Sequence, residues 1–345
     1  MVGLGRIGKL HSRHVHELAH ETGECRLEAV VDENQDRARE FAERYSAKAF
    51  FSVEEMAASG VAEASVIGTP TDCHRAHAAA LIGAGQRVLL EKPLTGSLDE
   101  DRAFARELNE RHPYAVMLAF QRRFDEPLQL AKQWMEEGRI GRVFKISSIL
   151  EDSNPAPNGY KSLGILADMS VHNVDEILWL TGKLPTAAAS IGTCLYSRRL
   201  SSAVEDFDDG FLYIWFDSEL AAQVQVTRNH VSGYRVETWI FGEKGQIHIG
   251  RFEQKPFEVV VEAYGRSEPL GRKTFPMRDY GEPLPEFADR FGPAYKAEVA
   301  EFVRRCLDGS AFPVTHNDGM RAMEVIDAGM RGAIGLEQGG KVAAA

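Results

Sequence analysis

The chain has 345 residues, 44% of them hydrophobic and 26% charged, a make-up that suits a globular protein with two hydrophobic cores. Its 51 acidic against 40 basic residues leave a net charge of −11, which opposes non-specific binding to nucleic acid or to an anionic membrane. Cys25, Cys73, Cys194 and Cys306 match neither a disulfide framework nor a zinc pattern, and no apolar run nears the roughly 18 residues of a membrane helix, so reduced thiols and a cytoplasmic setting are expected.

In chain order, Gly3-Leu-Gly5-Arg6-Ile7-Gly8 comes first. The first glycine permits a tight turn, the second lets the backbone approach a pyrophosphate, and the third lets a helix pack on a strand. A helical pattern follows, with Ile7, Leu10, His14 and Leu18 on one face, and then an apolar run, residues 27–31. That run ends in Asp32, 24 residues after Gly8, where an acid binds the adenosine ribose hydroxyls and repels a 2′-phosphate. With Glu33 next and no adjacent arginine, NAD is favoured over NADP. Only Met1 and Val2 precede Gly3, whereas a strand usually has about five or six residues. A natural start upstream of Met1, or a trimmed sequence, is therefore expected.

Short apolar runs then alternate with amphipathic stretches: a helix at 36–45, a strand at 64–67, a helix from 77, and strands at 87–90 and 114–118. Such alternation predicts a parallel Rossmann-type sheet over residues 1–118, with ligands at the carboxyl ends of its strands. Thr69, Pro70, Glu91 and Lys92 all fall at such ends. Lys92 stands before Pro93, which biases it to an extended conformation and permits a cis bond. An ammonium there can bind a substrate hydroxyl and stabilise developing negative charge.

Residues 119–345 read as a second, α+β domain. Arg122 and Arg123 precede a helix at 127–137, and Arg123 is a candidate either for a polyol hydroxyl or for a salt bridge. After a strand at 142–150 comes a loop whose Asp152 and Asn154 suit a vicinal diol and are also ordinary turn formers. Next, Asp168 and His172 are four apart in a helical pattern that includes Val171, Val174, Leu178 and Trp179, so they share one face. A carboxylate beside an imidazole fixes its tautomer and raises its basicity, which suits a base that removes an alcohol proton.

Strand signals recur at 188–195, 210–216, 221–227, 235–241, 246–250 and 257–263, with Gly242 to Gly245 as a hairpin turn, predicting a mainly antiparallel open sheet. Phe211, Tyr213 and Trp215 alternate with Leu212, Ile214 and Phe216, so both faces of that strand are apolar. Helices can cover one face; a partner subunit is the simple cover for the other. His230 and Tyr234 are further site candidates. His11, His14, His16 and His20 do not share one helix face, and no metal is expected. Helices are predicted at 294–307 and 318–334.

These motifs, in this order, resemble the glucose–fructose oxidoreductase / inositol dehydrogenase / rhizopine-catabolism (Gfo/Idh/MocA) family, and the likeness covers almost the whole chain. It rests on the glycine loop with His11, on Asp32, on Thr69-Pro70 with His74, on Glu91-Lys92-Pro93, on Phe120 to Asp125, and on Asp168, His172 and Asp175. Ser162-Leu163-Gly164 departs from the Ser-Gly-Gly of many relatives. Within the family the likeness is to inositol 2-dehydrogenases. It implies that Gly3, Gly5, Arg6, Ile7, Gly8, Asp32, Thr69, Pro70, His74, Glu91 and Lys92 serve the cofactor, and that Lys92, Asp168 and His172 act together in catalysis. It further implies a homotetramer or homodimer through the second domain's sheet.

The expected activity is NAD-dependent oxidation of a secondary hydroxyl of a cyclic polyol or sugar. Lys92, Arg123, Asp152, Asn154, Asp168, His172 and Tyr234 are the candidates at substrate. The alternatives are an NAD-dependent glycosidase on the same frame and a non-catalytic dinucleotide-binding regulator.

Overall fold

The computed structural model describes residues 1–153, 164–193, 207–217, 219–250, 258–278, 280 and 286–332, with two short strands, Gly335–Leu336 and Val342–Ala343. Contacts divide the chain into two units, Met1–Phe124 with Tyr280–Met320, and Asp125–Asp279 with Arg321–Ala345. The sequence alone places one boundary, at 118/119; by contacts, the chain returns to the first unit after residue 279.

The first unit alternates α1 (Arg6–Thr22), β1 (Ala29–Val31), α2 (Gln35–Tyr45), β2 (Lys48–Phe50), α3 (Val53–Ser59), β3 (Ala64–Ile67), α4 (His74–Gly83), β4 (Arg87–Glu91), α5 (Leu98–Arg111) and β5 (Val116–Ala119). Side-chain caps from Asn34, Ser52 and Ser97 start α2, α3 and α5. β1 pairs with β2, and β3, β4 and β5 pair in turn, all parallel. Val2 bridges Val31 on one side and Ile67 on the other, so a single residue stands where the opening strand of the sheet belongs. Val30, Leu89 and Met117 are fully buried within this sheet. β2 and α3 are not foreseen from the sequence. β2 has three residues and one buried side chain, too little for a period to show.

The second unit holds α6 (Glu126–Glu136), β6 (Val143–Glu151), α7 (Val171–Thr181) and strands β7 (Ala187–Thr193), β8 (Asp209–Trp215), β9 (Ala221–Thr227), β10 (Arg235–Gly242), β11 (Gly245–Ile249), β12 (Glu258–Gly265) and β13 (Pro269–Pro276). They form one open eight-stranded sheet in the order β13-β12-β11-β10-β6-β9-β8-β7, antiparallel throughout except for the parallel β6–β9 pair. β13 goes unpredicted because it is mostly exposed and lacks apolar alternation, as suits an edge strand that begins with proline. On β8, Leu212, Ile214 and the following Phe216 are buried, while Phe211, Tyr213 and Trp215 stay about 40% exposed. The alternation predicted there is present, and one aromatic face is left open.

Back in the first unit, α8 (Glu286–Asp308) packs on α1 and on the 3-10 turn Gln121–Phe124. It starts earlier than its periodicity suggests, because Pro293 lies inside it. The last helix, α9, runs His316–Arg331. Among the described residues no helix is long and apolar enough to cross a membrane.

Candidate active site

The cofactor candidates in the first unit lie where a strand ends or a helix begins. Gly3 has φ +80°, and a Cβ on it would stand 2.8 Å from Thr69 Cγ2. A Cβ on Gly8 would stand 1.9 Å from the Gly3 carbonyl oxygen, so only glycine lets α1 close onto the turn. Gly5, which starts α1, is different: a Cβ there meets nothing within 4 Å. The helix begins without a side-chain cap and without an acid in its first turn, and Arg6 is exposed beside it. Open backbone N–H groups at a helix start, next to a cation, suit a pyrophosphate.

Asp32 follows β1 and is buried. Its Oδ2 accepts from Leu4 N at 2.9 Å and its Oδ1 from Asn34 N at 2.9 Å, so the glycine loop and the α2 cap both hold the carboxylate. Arg37 Nη1 lies 3.3 Å from Oδ2. The sequence reading considers only arginines adjacent to Asp32; Asn34 starts a helix, and its first turn carries Arg37 back over the acid. A glycine cradle open on one side and a carboxylate at the end of β1 fit the diphosphate and ribose of NAD.

Lys92 follows β4, and its bond to Pro93 is cis. The preceding Glu91 is buried, and its Oε1 lies 2.8 Å from His11 Nε2. His74, expected at the cofactor, is 1% exposed and joins two loops. Its Nδ1 lies 2.8 Å from Pro93 O and its Nε2 3.0 Å from Thr69 O. Burial pushes this imidazole below its ordinary pKa, against the two carbonyls and Glu91, which raise it. A continuous path of contacts thus joins the glycine turn, Thr69, His74 and the residue after Lys92. The other histidines separate: His14 Nε2 lies 3.0 Å from Tyr280 Oη, while His16 and His20 meet each other on the exposed side of α1. Arg123 pairs with Asp318 at 3.0 Å, the salt-bridge option left open by the sequence. Burial alone would raise the Asp318 carboxyl, but Arg123 and the Thr315 bonds outweigh it and hold it low.

In the second unit, the candidates Asp152 and Tyr234 lie at one end of the sheet. Arg235 pairs in register with Glu151, and Glu151 with Thr227. Asp152, Arg228 and Tyr234 each lie one residue beyond that line, from three neighbouring strands. Asp152 N donates to Thr227 O at 2.9 Å, and its carbonyl accepts from His230 N at 3.1 Å. Asn154, and the departure at Ser162 and Leu163, lie outside the described residues. Asp168 sits in a π-helical turn, Leu166–Ser170, rather than in regular α-helix as its spacing suggests; such turns recur at functional sites. His172 follows on the first turn of α7, half-buried. Asp168 Oδ2 accepts from Arg228 Nη2 at 3.0 Å. Arg228 is the residue the sequence reading missed; its only signal is a cation directly after a strand that ends the apolar pattern. α7 is registered on the sheet by buried polar groups: Asn173 donates to Ser148 Oγ at 2.7 Å, and Ser148 donates to Glu176 Oε1 at 3.2 Å.

A family model described as "Oxidoreductase family, NAD-binding Rossmann fold" matches residues 1–120, and the "GFO/IDH/MocA C-terminal domain" matches residues 128–248. An inositol 2-dehydrogenase of Rhizobium meliloti is 27% identical over 334 residues, covering 96% of this chain and 95% of that protein. The scyllo-inositol 2-dehydrogenase (NAD(+)) of Bacillus subtilis is 27% identical over 332 residues, covering 94% and 90%. Among solved structures, a putative myo-inositol dehydrogenase from Sinorhizobium meliloti superposes with a TM-score of 0.79 at 26% identity, covering 95% of this chain and 94% of that one. The chain belongs to the Gfo/Idh/MocA family of oxidoreductases, with an NAD-binding Rossmann domain as its first unit.

Proposed function

We propose that the protein oxidises a secondary hydroxyl of a cyclic polyol or sugar, with an inositol as the leading substrate. The observation that carries this reading is the placement of Lys92 at the carboxyl end of β4, tied through His74 and Thr69 to the glycine turn. The relatives named as inositol dehydrogenases support the substrate class. Bound NAD supplies the hydride acceptor. Lys92 binds the substrate hydroxyl oxygen and stabilises its developing charge. His172 takes the hydroxyl proton as general base, leaving a ketone once the hydride has departed. Asp168 orients His172, and Arg228 holds Asp168. Asp152 and Tyr234 contact the remaining hydroxyls. The open aromatic face of β8 is the contact through which copies of the chain assemble, as a dimer or tetramer.

The test is absorbance at 340 nm with NAD or NADP against myo-inositol, scyllo-inositol, D-glucose, D-galactose and related pyranoses. NADH should form with at least one polyol. Glycoside hydrolysis with no net NADH would instead favour a glycosidase, and binding of NAD without turnover would favour a regulator. Light scattering at micromolar concentration checks the assembly; a monomer would refute it.

A further inference from the structure

We propose that His11 and His74 are positioning residues for Lys92, bracing the residue on each side of it; this rests on the role given to Lys92 above. The three motifs involved lie far apart in the sequence, yet they meet at one tripeptide. From α1, His11 Nε2 reaches the Glu91 carboxylate at 2.8 Å; from the start of α4, His74 Nδ1 reaches the Pro93 carbonyl at 2.8 Å. Lys92 is the single residue between the two anchors.

Simple packing does not account for this choice of groups. His11 is 0% and His74 1% exposed, and Glu91 is buried with them. Apolar side chains of similar volume would fill these positions without desolvating an imidazole and a carboxylate, often with equal or greater stability. What a hydrogen bond adds is direction. The His11 contact fixes the Glu91 side chain, and with it the backbone leading into Lys92. The His74 contact fixes the peptide leaving Lys92. A long ammonium side chain aims only as well as its Cα–Cβ bond is held, and a misplacement of about 1 Å at a reacting group costs about 10²-fold in rate.

The geometry also assigns which ring atom matters. Both partners of His74 are carbonyl oxygens, which only accept, so a neutral ring donates to one of them. Burial drives the ring toward neutrality. The shorter contact, to Pro93 O, receives the Nδ1 proton, and Nε2 faces Thr69 O at 3.0 Å. At His11 the donor is Nε2, toward a carboxylate that cannot donate when ionised. The amide of asparagine places a donor near the Nδ1 position, and that of glutamine near Nε2. Matched substitutions are therefore His11→Gln and His74→Asn; the mismatched pair is His11→Asn and His74→Gln.

The experiment measures kcat and KM with the polyol that turns over, together with the NAD dissociation constant by calorimetry and the melting temperature. Removing either donor, in His11→Leu or His74→Leu, should lower kcat by about 10- to 10²-fold while the NAD dissociation constant holds within about threefold. The matched amides should recover most of that loss and the mismatched amides should not. In a Lys92→Met background neither histidine change should lower kcat further, since the brace has nothing left to aim. Should the leucine variants fail to fold, the matched and mismatched amides decide: equal kcat in the two sets overturns the brace. Wild-type kcat in the leucine variants beside an inactive Lys92→Met also overturns it, leaving the dehydrogenase reading intact. An active Lys92→Met overturns that reading first, and the brace with it.

Discussion

The two units solve the same problem by different routes. In the parallel sheet of the first unit every strand delivers its carboxyl end to one side, so the glycine turn, Asp32, Thr69 and Lys92 are gathered by topology alone. In the mainly antiparallel second sheet, adjacent strands mostly run opposite ways. Asp152, Arg228 and Tyr234 are gathered by register, from the end of β6, the end of β9 and the start of β10. The candidate residues therefore form compact motifs in the first unit and stand as scattered single residues in the second. The one parallel pair in the second sheet, β6 with β9, is what brings Asp152 and Arg228 to the same end.

The sharpest break would come from the two groups proposed to act on the reacting hydroxyl. Lys92→Met in the first unit and His172→Ala in the second should each lower kcat by roughly 10²–10⁴-fold, measured by NADH formation. A near-wild-type kcat in His172→Ala would leave the second unit with substrate binding only.

Next in size is a stability effect confined to the second unit. Glu237 lies 2.9 Å from Arg235 Nε, 3.3 Å from Trp239 Nε1 and 3.5 Å from His248 Nε2. Burial alone would raise its carboxyl, but these partners outweigh burial and hold it at about 2, below the ordinary 4.5. A depressed acid adds stability above the unfolded value, and that stability is lost as pH falls from 4.5 through about 2. Glu237→Gln should therefore cost up to about 3 kcal/mol near neutral pH and flatten the decline in acid. Chemical denaturation across that range checks it, and an unchanged acid profile would contradict it.

Arg228→Leu tests the residue that carries no motif. It removes the guanidinium 3.0 Å from Asp168 and should reduce kcat by about 10- to 10²-fold, with NAD binding by the first unit unchanged. Loss of NAD affinity instead would show that the two sites are not separable in this way. The smallest effect belongs to Arg37. Its pair with Asp32 is half-exposed at the arginine, so Arg37→Ala should shift NAD affinity by no more than about fivefold. The same change should weaken NADP more than NAD, because it removes a cation beside the acid proposed for the ribose. Calorimetry with both dinucleotides measures the ratio.

Much of the first unit was legible because its signals are local. Gly8 answers to close approach to Gly3, five residues earlier, and Asp32 to its place after an apolar run. What was not legible depends on folding back: Arg37 returns over Asp32 only because Asn34 starts a helix there, and the tasks of His11 and His74 depend on strands far along the chain. In the second unit the alternating pattern of β8 announced a sheet with two apolar faces, whereas Arg228 had no pattern to stand in. The π-helical turn at Asp168 is invisible to a 3.6-residue period by construction, since the period assumes the turn it departs from.

β8 carries one more constraint, on alignment rather than composition. Its small and branched residues meet tight neighbours: a Cβ on Gly329 would already stand 2.2 Å from Leu212 Cδ1. Shifting β8 by one residue against its neighbours would turn the strand over and drive Phe211, Tyr213 and Trp215 into that space. Aliphatic side chains would come out in their place. The strand tolerates many spellings, but its reading frame in space is fixed to the residue.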